Sequence, residues 1–134
     1  MNNLSFHITD ITANSIRANA SEIGLSVEEQ DARIVIRITD NGSGMDAETA
    51  RRVTNPFYTT RTTRKVGLGL PFLIQNAEQT GGSVTLTSEP GKGTEVRAVF
   101  HSDHIDCPPW GDLPGTVALL ITGNPEINVC FEYR

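Results

Sequence analysis

Glycines stand in four close pairs, and each pair falls where one periodic segment gives way to the next: Gly42 and Gly44, Gly67 and Gly69, Gly81 and Gly82, Gly91 and Gly93. Glycine takes backbone conformations that other residues avoid, so it marks tight turns and close approaches of the chain. A regular helix or strand is not expected to run through such a pair. The pairs therefore divide the chain into short elements that fold back on one another.

Hydrophobic periodicity assigns the elements between these turns. A spacing of three to four residues predicts helices, and alternation predicts strands. The expected elements, in order, are helix 4–20, strands 22–29 and 34–38, helix 46–53, helix 68–79, and strands 83–88 and 94–100. We expect each pair of consecutive strands to form a hairpin, and Asp46 to cap the second helix.

The segments without apolar periodicity are expected to be irregular. Residues 55–66 combine a proline and several threonines with basic side chains, so we expect a mobile loop. Residues 101–115 predict an irregular connection. Residues 116–122 fit either a helix or a strand, and residues 127–133 predict a last strand. We expect one domain over residues 1–101, and an extension over 102–134 that packs on or enlarges it. Because the chain stops directly after an apolar run, we expect it to be a truncated piece of a longer protein.

Composition sets the class of protein. The 134 residues suit a single domain, and the net charge of −5 argues against a nucleic-acid binder. The sequence has no apolar run of about twenty residues, so we expect no membrane-spanning helix. The first residues do not resemble a secretion signal, so we expect a cytoplasmic protein. The two cysteines are expected to be free thiols.

The first chemically suggestive feature is a pair of polar residues on the opening helix. Asp10 and Asn14 are four residues apart and project from one face. An Asn oxygen can ligate Mg²⁺, and a carboxylate one turn earlier could act as a general base on water. Taken alone, the pair is more typical of a solvated helix face.

The second feature is the turn after the second strand. Asp40 ends this strand, and Gly42 and Gly44 follow in the sequence Asp-Asn-Gly-Ser-Gly-Met. A carboxylate can only accept hydrogen bonds, so it can bind the amino group of adenine. The glycines would let the backbone pass close to the base. Taken alone, this sequence is about as typical of an ordinary turn without a ligand as of a base-binding turn.

The third feature joins a basic loop to a helix. Gly67 and Gly69 precede the helix, and backbone N–H groups at a helix N-terminus attract phosphate. Arg61, Arg64 and Lys65 could close over a nucleotide as a lid. The alternative is a solvated loop with no ligand.

The fourth feature is the tip of the last hairpin, Gly91-Lys92-Gly93-Thr94. On its own it is more typical of a tight β-turn than of a ligand contact. Phe57 and Tyr58, just before the basic loop, are as typical of aromatic residues that pack in a core as of residues that contact a ligand.

The order of these features resembles that of the GHKL superfamily, which includes DNA gyrase, ATP-dependent chaperones, histidine kinases and mismatch-repair ATPases. Five conserved boxes of that superfamily are matched in order, over about residues 4–100, by Asp10 with Asn14, Asp40 with Gly42 and Gly44, Phe57, Gly67 with Gly69, and Gly91 with Gly93 and Thr94. The stretch from Asn55-Pro56-Phe57 to Thr94 is particularly similar to a histidine-kinase catalytic domain.

The resemblance implies a fold and a set of ligand contacts. The fold is the Bergerat α/β (α+β) two-layer sandwich, with a mixed, mostly antiparallel sheet, helices on one face and a mobile ATP lid. Asn14 would ligate Mg²⁺, Asp40 would anchor adenine, and Asp10 is the candidate general base. The ATP contacts implied by the resemblance are Asn14, Asp40, Gly42, Gly44, Met45, Phe57, Arg61, Lys65, Gly67, Leu68, Gly69, Leu70 and Thr94.

Three departures bear on activity. Only about ten residues precede Asn14, so the helical hairpin with the phospho-accepting His of a sensor kinase is missing from this sequence. Asp10 stands where the ATPase and serine-kinase branches use Glu, and Arg17 stands where several of those branches have Asp. The tail after His101 resembles the ending of small stand-alone bacterial ATP-binding proteins, some of them encoded beside iron hydrogenases.

These observations leave three hypotheses open. The first is an ATP–Mg²⁺-binding module that acts on a partner protein by phosphoryl transfer in trans. The second is a slow ATPase with Asp10 as base, and the third a non-catalytic sensor whose lid binds a partner once ATP has ordered it. His101 and His104, with neighbouring Asp residues, could hold a metal, but a capped polar loop is more typical of them, because their spacing fits no standard zinc site.

Overall fold

The structure, a computed structural model, describes residues 3–54 and 69–134 of the chain. Four helices and five strands lie in these residues. In order they are α1 (Leu4–Arg17), β1 (Glu22–Gln30), β2 (Arg33–Asp40), α2 (Ala47–Thr54), α3 (Gly69–Gln79), β3 (Ser83–Glu89), β4 (Gly93–His101), α4 (Leu113–Gly123) and β5 (Asn128–Tyr133).

The five strands form one mixed sheet in the order β3-β4-β2-β1-β5. The pairs β3–β4, β4–β2 and β2–β1 are antiparallel, whereas β1 and β5 run parallel. Both hairpins predicted from alternation are therefore confirmed. A mixed and mostly antiparallel sheet is also the one that the Bergerat fold requires.

Alternation along the strands places the core on one face of the sheet. Ile23, Leu25 and Val27 of β1 are at most 2% exposed, and β2 buries alternate residues in the same way. In β4 the same alternation buries Val96, Ala98 and Phe100, and Val99 is buried as well. The core cluster joins Leu25 and Val27, with the buried residues of β2 and β4, to apolar residues of α1, α3 and α4. On the opposite face the strands carry polar side chains, including the ion pair between Arg37 and Glu95 at 2.8 Å. Helices thus cover one face of the sheet, as expected for a two-layer sandwich.

The helix boundaries agree with local capping chemistry. Asp46 accepts a hydrogen bond from the Thr49 N–H at 2.8 Å through Oδ1, so the predicted cap of α2 is confirmed. Residues 116–122, which fitted a helix or a strand, lie in α4. This helix begins at Leu113, before the apolar run, because Asp112 caps it by accepting from the Gly115 N–H at 3.1 Å.

The residues after β4 are part of the same sheet and core. β5 pairs with β1, and Leu113 and Val117 of α4 belong to the core cluster. The N–H of Leu4 donates to the Pro109 carbonyl at 2.8 Å, which fixes the start of α1 to the connection before α4. No helix in residues 3–54 or 69–134 is long and apolar enough to span a membrane. Nor do those residues bring three His, Cys, Asp or Glu side chains together as a metal site.

Candidate nucleotide-binding site

A cavity of about 230 Å³ opens between α1 and the ends of β2 and β4. The turn after β2, α2 and the start of α3 complete its wall. Its lining residues come from six elements: Ile11, Asn14, Ser15, Arg17, Ala18, Ile38, Asp40, Ser43, Gly44, Met45, Thr49, Leu70, Thr94 and Val96. The wall is mostly apolar and carries a few polar groups, as is typical of sites for small organic ligands.

Asp40 lies half-buried at the end of β2, and both of its carboxylate oxygens accept hydrogen bonds. Oδ1 accepts from the Gly42 N–H at 2.8 Å, and Oδ2 accepts from the Ser15 hydroxyl at 2.6 Å. A backbone N–H can only donate, so Oδ1 must act as an acceptor. The Asp40 carboxylate therefore lines the cavity as a fixed hydrogen-bond acceptor.

The turn after Asp40 is held against the tip of the β3–β4 hairpin. Gly44 has φ of 71°, and a Cβ added there would lie 1.9 Å from the Glu89 carbonyl oxygen. Gly93 has φ of 121°, and an added Cβ would lie 2.0 Å from the carbonyl oxygen of Asp40. No other residue fits such contacts without moving the backbone. The first and fourth glycine pairs, Gly42 with Gly44 and Gly91 with Gly93, thus meet at one rim of the cavity.

Ser88 joins the same two segments through its side chain. Its hydroxyl oxygen accepts from the Met45 N–H at 2.8 Å and lies 2.8 Å from Thr94 Oγ1. Thr94 stands opposite Asp40 in the β2–β4 register, so the two polar groups reach the cavity from neighbouring strands. Met45 and Thr94, both predicted as ligand contacts, are therefore positioned by a residue outside the predicted set.

Asn14 and Arg17, in the last turn of α1, also line the cavity. The Arg17 guanidinium donates a hydrogen bond to Asn14 Oδ1. Asp10 lies half-buried one turn before Asn14, but it is not among the residues that line the cavity. Burial raises the pKa of the Asp10 carboxyl, and the positive charge of Arg17 opposes that rise.

The predicted phosphate loop is described only in part. Gly69 is the first residue of α3, and Leu70, which is 3% exposed, lines the cavity and belongs to the core. The remaining predicted contacts of this region lie outside the described residues: Phe57, Arg61, Lys65, Gly67 and Leu68, together with Tyr58 and Arg64.

Sequence reasoning missed three polar residues of this site. Ser15 and Arg17 both follow Asn14 on α1. The available signals were helical spacings, because Ser15 lies four residues after the buried Ile11 and Arg17 three residues after Asn14. Ser88 stands just before the Glu-Pro-Gly turn, but its contacts with Met45 and Thr94 depend on tertiary packing. Asp40, Gly44, Met45, Asn14, Leu70 and Thr94 do lie together around one cavity.

Comparison with known proteins agrees with this geometry. Residues 3–104 match the family described as histidine kinase-, DNA gyrase B-, and HSP90-like ATPase. The match covers both hairpins and every residue that lines the cavity.

Individual relatives are bacterial kinases. Sensor histidine kinase YxdK of Bacillus subtilis (strain 168) is 29% identical over 104 residues, which are 72% of this chain and 32% of the relative. Sporulation kinase C of the same organism is 30% identical over 101 residues, 74% of this chain and 23% of the relative. Sensor kinase CckA of Brucella abortus (strain 2308) is 34% identical over 91 residues, 67% and 10% respectively.

The chain thus spans a third or less of the length of these relatives. The chain belongs to the family of histidine kinase-, DNA gyrase B- and HSP90-like ATPases, as an ATP-binding domain of the histidine-kinase type.

Proposed function

We propose that the chain binds ATP with Mg²⁺ and supplies the γ-phosphoryl group to an acceptor on a partner protein. The observation that carries this proposal is the set of polar groups around one mostly apolar cavity. A fixed carboxylate acceptor, Asp40, stands among apolar side chains, and Asn14 and Arg17 line the same cavity from the last turn of α1. A nucleotide has matching groups, with an amino-bearing base at one end and phosphates at the other.

The base end favours adenine over guanine. Adenine presents an amino group at position 6, which donates to a carboxylate, whereas guanine presents a carbonyl oxygen there. The Asp40 carboxylate would accept a hydrogen bond from the amino group of adenine and would repel the carbonyl oxygen of guanine. Ile38, Met45 and Val96 line the cavity and supply apolar surface for the ring. Thr94 would add a hydroxyl partner beside Asp40.

Asn14 and Arg17 fit the phosphate end. Asn14 offers an amide oxygen, the type of donor that Mg²⁺ prefers, and Mg²⁺ would neutralise charge on the terminal phosphates. In the structure that oxygen accepts from the Arg17 guanidinium. Two cations do not share one oxygen favourably, so Arg17 would turn to the phosphate oxygens when Asn14 binds the ion. Gly67, Gly69 and the basic side chains of Arg61 and Lys65 remain proposed phosphate and lid contacts.

The position of the histidines supports transfer in trans. The chain has three, His7, His101 and His104. His7 is 1% exposed within the core, and its Nε2 lies 2.7 Å from Asn76 Nδ2. His101 is seven residues along β4 from Thr94, a distance of roughly 23 Å at the rise of an extended strand. Neither His7 nor His101 is therefore placed to receive a phosphoryl group from a nucleotide in the cavity, and His104 follows three residues after His101.

Two measurements test this proposal. Calorimetry should detect binding of Mg-ATP, and Asp40→Ala should weaken it at least tenfold; unchanged affinity would remove Asp40 from the adenine site. Incubation with γ-³²P-ATP should leave the chain itself unlabelled and label a partner, tried first among proteins encoded beside it. Labelling of the chain alone, at any of its histidines, would contradict transfer in trans.

Slow hydrolysis of ATP is the second candidate, and the raised pKa of Asp10 favours it. A carboxylate with a raised pKa is a better proton acceptor from water. Asp10→Asn should then abolish turnover and leave ATP affinity within about twofold. If turnover persists in this variant, Asp10 is not the base. A chain that binds ATP with neither turnover nor transfer would instead fit the third hypothesis, a sensor whose lid orders on ATP.

A further inference from the structure

We propose that Ser15 is a positioning residue that holds the Asp40 carboxylate in the orientation required by the 6-amino group of ATP. The inference rests on the proposed function, since it assumes that adenine meets Asp40. Ser15 would contribute to base specificity through Asp40, and this role needs no contact with the triphosphate. Ser15 follows Asn14 on α1, so one turn of this helix would serve both ends of the nucleotide.

The hydrogen bond of Ser15 crosses from a helix to a strand. Ser and Thr hydroxyls in helices commonly donate to the carbonyl four residues earlier, as Thr9 does to Ser5 and the buried Thr12 does to Ile8. Ser15, which is 2% exposed, donates instead to Asp40 Oδ2, 25 residues along the chain. The bond is short, at 2.6 Å, as expected for a hydroxyl on a charged acceptor.

Two donors on two oxygens fix the plane of the carboxylate. The last torsion of an Asp side chain is broad, so a single hydrogen bond leaves the group free to rotate about it. The Gly42 N–H holds Oδ1 at 2.8 Å, and Ser15 holds Oδ2 on the other side. Each oxygen keeps a second lone pair, and the cavity is where a ligand donor can reach one. Removing the Ser15 hydroxyl would leave Asp40 held from the Gly42 side alone.

The test compares two nucleotides that differ only at position 6. Calorimetry measures the affinity of the purified chain for Mg-ATP and for the Mg complex of purine riboside triphosphate, which lacks the amino group. Ser15→Ala should weaken ATP binding about five- to twentyfold. Its affinity for purine riboside triphosphate should stay within twofold of the unsubstituted chain, because that ligand makes no bond to the carboxylate.

Ser5→Ala provides a matched control on the same helix. Ser5 is 4% exposed and donates to the Trp110 carbonyl at 2.6 Å, at the far end of α1 from the cavity. Loss of this buried hydroxyl should change both affinities less than twofold. Ser15→Cys, nearly the same size and a weak donor, replaces Ser15→Ala if that variant does not fold, and should show a smaller loss confined to ATP.

Each outcome separates the inference from the proposed function. Equal weakening of both ligands by the Ser15 variants, or no weakening of either, would overturn the positioning role while ATP binding stands. If the unsubstituted chain binds both nucleotides equally, the adenine contact at Asp40 fails, and the role of Ser15 fails with it. If it binds neither, the proposed function itself is wrong.

Discussion

His7 is a histidine enclosed by aromatic side chains rather than by water. It is 1% exposed, and its ring lies 5.1 Å from that of Phe72 and 6.4 Å from that of Phe100. The Asn76 amide nitrogen can only donate, so His7 Nε2 accepts and the ring hydrogen is on Nδ1. Nδ1 has no hydrogen-bond partner in the described part of the chain. Burial therefore favours the neutral ring and lowers the pKa of His7 to about 4.

This shift predicts a loss of stability between pH 6.5 and pH 4. The unfolded chain takes up a proton at His7 near pH 6.5, whereas the folded chain does so near pH 4, so the free energy of unfolding falls as the pH falls through this window. The expected loss is about 2–3 kcal/mol. Urea unfolding at pH 7 and pH 4.5 measures it. His7→Leu should remove most of the change in the free energy of unfolding between these two pH values. His104→Ala, which replaces an exposed histidine, should leave that change as it is. If His7→Leu and the unsubstituted chain lose the same amount, His7 is not the group responsible.

Gly44 is the residue where the turn after β2 tolerates the least change. Gly44→Ala places a Cβ at φ of 71° and 1.9 Å from the Glu89 carbonyl oxygen, so the hairpin tip must move away from the turn. We expect a loss of about 3 kcal/mol in the free energy of unfolding, from strain and displaced backbone together. ATP affinity should fall as well, because Gly44 lines the cavity.

Gly123→Ala is the matched control for this prediction. A Cβ at Gly123 would meet no atom within 4 Å, and this glycine ends α4 away from the cavity. Its effect on unfolding should stay within about 0.5 kcal/mol. If both glycine variants unfold alike, close approach at Gly44 is not what the turn requires.

At the scale of elements, the contact between the turn after β2 and the β3–β4 hairpin depends on Ser88. Ser88→Ala removes the acceptor of the Met45 N–H and the neighbour of the Thr94 hydroxyl. We expect ATP affinity to fall about three- to tenfold, since one lost hydrogen bond of this kind costs about 1 kcal/mol. Thr85→Ala, on the exposed face of β3, is the control and should bind ATP normally. Equal affinities for the two variants would show that Ser88 does not support the site.

Sequence patterns were enough to predict those helices and strands whose signals lie within or next to the element itself. Alternation located β1 and β2, and Asp46 marked the start of α2 through its own side chain. The run at 116–122 stayed open between helix and strand because it is apolar on every side. Asp112 and Pro114, a cap and a first-turn proline, were the local signals for a helix.

Long-range contacts were beyond the same reasoning. The parallel pairing of β5 with β1 joins residues about a hundred positions apart, and nothing in the alternation of residues 127–133 selects β1 as the partner. In the site, Asp40, Gly42 and Gly44 could be predicted because they lie within five residues of one another and form one turn. Ser15 and Ser88 could not, since their roles arise from partners 25 and 43 residues away.

For the whole molecule, the residues after β4 contribute to stability and the residues before them form the cavity. In the described part of the chain, the residues that line the cavity lie between Ile11 and Val96, and the family match ends at residue 104. Beyond it, Leu113 and Val117 complete the core beside α1, and β5 covers the edge of β1. α4 and β5 therefore add to the core and the sheet, while residues before them line the cavity.

A chain ended after His104 separates these two contributions. It loses α4 and β5, so the edge of β1 and the α4 side of α1 become exposed, and we expect a loss of several kcal/mol in the free energy of unfolding. Saturating Mg-ATP should raise the unfolding midpoint of the short chain, because a ligand that binds only the folded state stabilises it by mass action. Thermal unfolding of both chains with and without Mg-ATP measures this. Equal midpoints without ligand would mean that α4 and β5 add no stability, and a short chain that ATP does not stabilise would mean that the cavity depends on them.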